Sequence, residues 1–119
     1  MLLRIGSDTN YTVKPIIFLG DSRERLREFP DKARSRAGFE LGKVQSGDDP
    51  ADWKPMSSVG SGVREIRVRE AAGAFRVVYL AAVEEGVLVL HAFQKKTQAT
   101  TKADLELASK RLRAWKEAR

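Results

Sequence analysis

Hydrophobic and polar positions along this chain change period several times, and each change marks an element. Residues 14–20 (KPIIFLG) are a short isoleucine-rich run closed by Gly20, the pattern of a buried strand. Asp21 stands three residues before Glu24, a variant of the capping box, and Leu26 and Phe29 make an apolar stripe before Pro30 interrupts it. A short helix is predicted there. After Pro30, Ala33, Ala37, Leu41 and Val44 recur at three to four residues, predicting a second helix to about Gln45 that packs through small side chains. The two helices should form a hairpin. Residues 46–55 (SGDDPADWKP) gather Gly, Asp and Pro and read as a loop with Trp53 as its apolar anchor.

Three strand-like runs come next: VREIRVRE (63–70), AFRVVYLAAV (74–83) and GVLVLHAFQKK (86–96). Their connections are short enough for hairpins, which predicts an antiparallel meander. In 101–119, Thr101 with Asp104 makes a cap, and Leu105, Ala108, Leu112 and Trp115 mark one face of a last helix. The expected fold class is therefore α+β: strand, helix, helix, three strands, helix, with a mostly antiparallel sheet packed by the helical hairpin. A length of 119 residues suits one domain over 14–119. Residues 1–13 keep no period and are set apart as a leader or extension.

Alternation along the strands sorts their polar residues. Ile66 and Val68 lie on one face of the first meander strand, and Glu65, Arg67 and Arg69 on the other. Phe75, Val77 and Tyr79 lie opposite Arg76 in the second, so Arg76 interrupts an apolar strand and needs either a carboxylate such as Glu65 or Glu70, or an open cleft. Tyr79 is then a core residue. In the third, His91, Phe93 and Lys95 share one side and Ala92, Gln94 and Lys96 the other, unless the strand bulges. The lysines are either a solvated strand end that discourages edge association or phosphate ligands. His91 is either an acid–base group or a half-buried packing residue.

Composition narrows the chemistry. No apolar run approaches the roughly 20 residues of a membrane span, and the N-terminus lacks signal-peptide order, so a cytoplasmic protein without a membrane partner is expected. A net charge of +6 biases the chain toward phosphate-rich partners. That charge is spread over several elements, and only the fold can gather it. With no cysteine and one histidine, no ordinary zinc site is available and no metal or cofactor is expected. Gly60–Gly62 is a turn, not a nucleotide fingerprint, and the serines near it lack a nucleophile elbow. The remaining tools, Arg, Lys and Glu with His, suit phosphodiester cleavage by an RNA 2′-hydroxyl, with Glu65 as candidate base and His91 or Lys96 as candidate proton donor.

The combined motif carries a resemblance. Trp53 in a loop, a strand with Gly62, Val63, Glu65, Ile66 and Arg67, a strand with Arg76 and Tyr79, and a strand ending in Phe93, Lys95, Lys96 and Thr97 before a helix resemble the phage-derived, HigB-type toxins of the RelE/ParE superfamily. The likeness spans about residues 14–113. It implies a RelE-like fold and a type II toxin that enters the 70S ribosome and cuts mRNA without a cofactor. Its implied partner is a cognate antitoxin, often one with a helix-turn-helix DNA-binding domain. It also implies that Arg76 stabilises the scissile phosphate, with Arg67 and Lys96 next and Lys95, Arg64, Arg69 and Thr97 contacting RNA. Glu65 departs from the lysine common in RelE relatives, so it is either a base or the partner that orients Arg67 or Arg76. No tyrosine follows residue 79, so a C-terminal catalytic tyrosine is not reproduced. The alternative from the same superfamily is a ParE-like, non-nuclease toxin that binds DNA gyrase. Under the nuclease expectation, Arg76→Ala removes cleavage and spares the fold.

Overall fold

The computed structural model describes residues 13–119, so the expected leader over 1–13 lies, Val13 apart, outside the described residues. Its elements run β1 (Ile16–Phe18), α1 (Ser22–Arg27), α2 (Asp31–Gln45), β2 (Trp53–Pro55), β3 (Val63–Glu70), β4 (Gly73–Val83), β5 (Gly86–Lys95) and α3 (Lys102–Glu117). The strands make one sheet in the order β1-β5-β4-β3-β2. All neighbours are antiparallel except β1 with β5. The α+β class and the mostly antiparallel sheet are as expected.

Each sheet face has its own core. Ile66, Val68, Phe75, Val77 and Tyr79 point toward the α1–α2 hairpin, where they meet Leu26, Phe29, Leu41 and Val44. Ala33 and Ala37 on α2 are fully buried, and their lack of bulk lets the helix backbone approach the sheet. The opposite face joins Val63, Val78, Leu80, Leu88 and Leu90 to Ala108 and Leu112 of α3, with Leu105 and Trp115 partly buried beside them. Each buried aliphatic side chain here stabilises the fold by about 1.5–3 kcal/mol before entropy is counted.

Four expectations change. β1 is three residues long and only partly buried, because it forms the parallel edge of the sheet. Residues 53–55, read as loop, are the antiparallel edge strand β2, in which Trp53 pairs with Ile66 and Lys54 with Glu65. Trp53 is only half-buried, and the Arg64 guanidinium lies 3.8 Å above its ring centre. The Asp21–Glu24 capping box does not form: Asp21 makes no cap bond and instead accepts from Arg25 at 3.0 Å and from Arg111 of α3. Arg111 also donates to the Leu90 carbonyl at 2.9 Å, so one guanidinium ties α3 to β5 and to the start of α1. Gly20 has φ +56°, and a Cβ there would collide with that guanidinium.

The Thr101 cap does form, its hydroxyl oxygen accepting from the Asp104 amide at 3.2 Å. Among the described residues, no helix is long and apolar enough to cross a membrane.

Candidate functional site

The sheet face that packs against α3 also carries the chain's charged rungs: Glu65, Arg67 and Arg69 of β3, Arg76 of β4, and Phe93 and Lys95 of β5, with Lys54 of β2 at the rim. A bulge in β5 creates this arrangement: Tyr79 pairs with Val89 but Val78 pairs with His91, so Leu90 is an extra residue. Val87 and Val89 therefore face the hairpin, whereas His91, Phe93 and Lys95 turn toward α3.

Three rungs of the ladder organise the polar groups. Glu65, Val78 and His91 lie in line across β3, β4 and β5; Arg67, Arg76 and Phe93 occupy one neighbouring rung; Arg69, Ala74 and Lys95 occupy the rung at the strand ends. Five cations, Lys54, Arg67, Arg69, Arg76 and Lys95, thus gather around Glu65 and Asp52. The crowding shows in the ionisation of Lys95, which desolvation and the positive charge of Arg76 push below the ordinary lysine range.

Arg76 is buried, 1% exposed, and its Nε lies 3.4 Å from Oε1 of the equally buried Glu65. One terminal nitrogen donates to the Phe75 carbonyl at 3.0 Å. Burial lowers the Arg76 pKa, and the Glu65 charge opposes that shift. The Nε–H groups of Arg76 and of its cross-strand neighbour Arg67 are both buried without a hydrogen-bond acceptor. Arg67 is held by its own backbone amide on the Asp52 carbonyl, with its side chain 4.0 Å from the Asp52 carboxylate. Two adjacent guanidinium groups thus each hold one buried donor that no acceptor uses, the donor chemistry that binds an oxyanion once it is accessible.

A strap of residues 97–101 leads from β5 into α3. Its Thr100 hydroxyl donates to Glu65 Oε2 at 2.6 Å. Glu65 is thus engaged through both oxygens, one near Arg76 and one on Thr100. At the far end of the strap, Asp104 accepts from the Thr101 hydroxyl at 2.6 Å and lies 2.7 Å from His91 Nε2. His91 is 3% exposed and its Nδ1 has no partner. Burial pushes its pKa down, against the pull of Asp104, so the ring is neutral near pH 7. It packs on Phe93 with centroids 4.9 Å apart.

The sequence-predicted residues therefore separate. Arg67, Arg69, Arg76, Glu65 and Lys95 come together. His91 shares their face but is sealed against Asp104. Lys96, one residue past the end of β5, lines a cleft of about 350 Å³ with Phe29, Ala92, Phe93, Gln94 and Asp104. Arg64 faces the hairpin side, stacked on Trp53 and bonded to Asp49 at 2.8 Å. Thr97 is exposed and its hydroxyl donates within the strap to the Ala99 carbonyl at 2.5 Å. Tyr79 is 1% exposed in the hairpin core, as alternation predicted. Lys54, Thr100 and Asp104 were not anticipated as members of the site. Lys54 lies on a strand too short to show a period, and the other two meet their partners only through tertiary folding.

No curated protein matches this sequence. The family described as "Phage derived protein Gp49-like (DUF891)" matches over residues 24–113, which run from within α1 through most of α3 and take in every cation of the site. With that match spanning three-quarters of its length, the chain belongs to the Gp49-like family of phage-derived proteins, a toxin-like family of the RelE/ParE superfamily.

Proposed function

We propose that the protein is the toxin of a type II toxin–antitoxin pair and acts as a HigB-type, ribosome-dependent mRNA endoribonuclease. The observation that carries this reading is the cross-strand pair Arg67 and Arg76, whose Nε–H donors are buried and unused at the edge of a cationic face. Attack of a ribose 2′-hydroxyl on the adjacent phosphorus adds negative charge to the non-bridging oxygens. The P–O5′ bond breaks, the 5′-oxygen takes a proton from water and leaves as a hydroxyl, and a 2′,3′-cyclic phosphate remains. Two guanidinium groups in a poorly solvated site neutralise that charge, and holding the hydroxyl in line with the leaving oxygen supplies much of the remaining rate. Lys54, Arg69 and Lys95 bind flanking phosphates, which makes association strongly salt-dependent.

In this reading Glu65 orients Arg76 and is free to take the 2′-hydroxyl proton only when Thr100 leaves it. His91, neutral and bonded to Asp104, holds the N-terminus of α3. The partners are a cognate antitoxin, the ribosome and mRNA, and the place of action is the cytoplasm. Mapping mRNA ends in a bacterial translation extract tests this. Translation-dependent cuts by the wild type, absent with Arg67→Ala, support the nuclease; intact mRNA from folded protein overturns it.

The burial of Arg76 against Glu65 favours a second reading, in which the pair is a structural ion pair and the toxin is a ParE-like inhibitor of DNA gyrase. Inhibition of gyrase supercoiling without mRNA cleavage would support that alternative.

A further inference from the structure

A guanidinium that is 1% exposed cannot touch a phosphate, yet Arg76 and Arg67 are the two cations in this face with unused buried donors. The element bonded across their neighbour Glu65 is the strap of residues 97–101. Among the described residues, the Thr100–Glu65 bond is the strap's one side-chain hydrogen bond to the sheet. Gln98 and Ala99 are exposed, and Thr97 bonds within the strap. The C-terminal end is fixed independently, by the Thr101 cap and by Asp104 on His91. The strap is thus anchored at α3 and tied to the buried Glu65, the ion-pair partner of Arg76, at one point.

We propose that Thr100 is a latch: a polyanionic RNA strand displaces the 97–100 strap from Glu65, pivoting at Thr101, and this uncovers Arg76 beside Arg67 as the binding site for one backbone phosphate. The inference rests on the nucleic-acid reading above and adds its gate. The energetics suit a gate. A hydrogen bond to a carboxylate favours the closed form by about tenfold or more, yet is small enough for several phosphate contacts to offset. Glu65 loses nothing essential when the latch opens, because its second oxygen stays beside Arg76 while the first returns to water. Thr100 is accordingly a positioning residue, not a catalytic one.

The first measurement needs no substrate. Phenylglyoxal modifies accessible arginines, and peptide mass spectrometry reads each site; exposed Arg23 serves as internal reference. Arg76 should react slowly in the wild type, about tenfold faster in Thr100→Val, and slowly again in Thr100→Ser, with Arg23 unchanged. Equal protection of Arg76 in all three folded proteins would overturn the latch. The second measurement is fluorescence anisotropy with a 2′-O-methyl oligoribonucleotide, which cannot be cleaved. Thr100→Val should bind it about tenfold more tightly, and the gain should vanish when Arg76→Gln is added. Faster modification of Arg76 with no gain in affinity would leave the gate standing and overturn the nucleic-acid reading beneath it.

Discussion

Arg76 and Glu65 stand 3.4 Å apart on adjacent strands, each 1% exposed, so the most charged rungs of the sheet contain an ion pair removed from water. Such a pair stabilises little over an apolar isostere, but removing one partner strands the other. Arg76→Ala should therefore cost about 3–5 kcal/mol as well as any cleavage, in contrast to the fold-sparing loss expected from the sequence. Glu65→Gln combined with Arg76→Gln should be less destabilising than the sum of the two single changes. A double-mutant cycle from urea unfolding checks this; additive effects would mean that the pair is not coupled.

Lys95 pairs in the ladder on the face of Arg67 and Arg76, whereas Lys96 follows the end of β5 and lines a separate cleft. Lys95→Ala should weaken oligoribonucleotide binding and flatten the slope of log K against log salt by about 0.7, the value for one phosphate contact on a single strand. Lys96→Ala should change that slope by less than half as much. Titrations at three or more salt concentrations would expose the reverse order if the assignment is wrong.

The protonation of His91 couples to folding. In the unfolded chain it titrates near its ordinary value of 6.5, and in the fold burial moves it lower, with Asp104 and Arg111 of α3 and Arg25 of α1 as the charged groups around it. The unfolded chain then binds the extra proton first. Its contribution to stability is fully present above pH about 6.5 and is lost as pH falls through the folded pKa, at no more than about 1.4 kcal/mol per pH unit. His91→Gln should flatten this part of the curve in urea titrations between pH 8 and pH 5. An unchanged slope would assign the effect to the carboxylates.

On α3, Leu112 is 3% exposed, whereas Trp115 is only partly buried and carries the Arg119 guanidinium 4.6 Å above its ring. Leu112→Ala should cost about 2–5 kcal/mol and Trp115→Ala less, despite the larger side chain removed. Thermal or chemical unfolding of the two variants gives the order directly.

The meander was legible because its three runs are rich in valine, leucine, isoleucine and aromatic residues and are separated by short turns, and α2 because Ala33, Ala37, Leu41 and Val44 repeat at helical spacing. β2 was not, since three residues hold no period and Trp53 is ordered by pairing with Ile66. The capping role read for Asp21 failed for a similar reason: Arg111, ninety residues away, takes its carboxylate. At the site, the sequence required Arg76 to have either a carboxylate or a cleft. The structure supplies Glu65 as the carboxylate and leaves the guanidinium's Nε–H without a bond. Thr100 was invisible because its meaning lies in a bond to a residue 35 positions earlier.

The extra residue at Leu90 has a consequence for how this sheet tolerates change. With strict alternation, Val87, Val89, His91, Phe93 and Lys95 would all line one side, and the charged end of β5 would fall beneath the helical hairpin. The bulge lets one strand start as hairpin core and finish as part of the charged face. Point substitutions along β5 alter a single contact, whereas an insertion or deletion that restores regular pairing would exchange the surroundings of Phe93 and Lys95 together. The spacing between Val89 and His91 is thus as much a determinant of the site as the identity of its arginines.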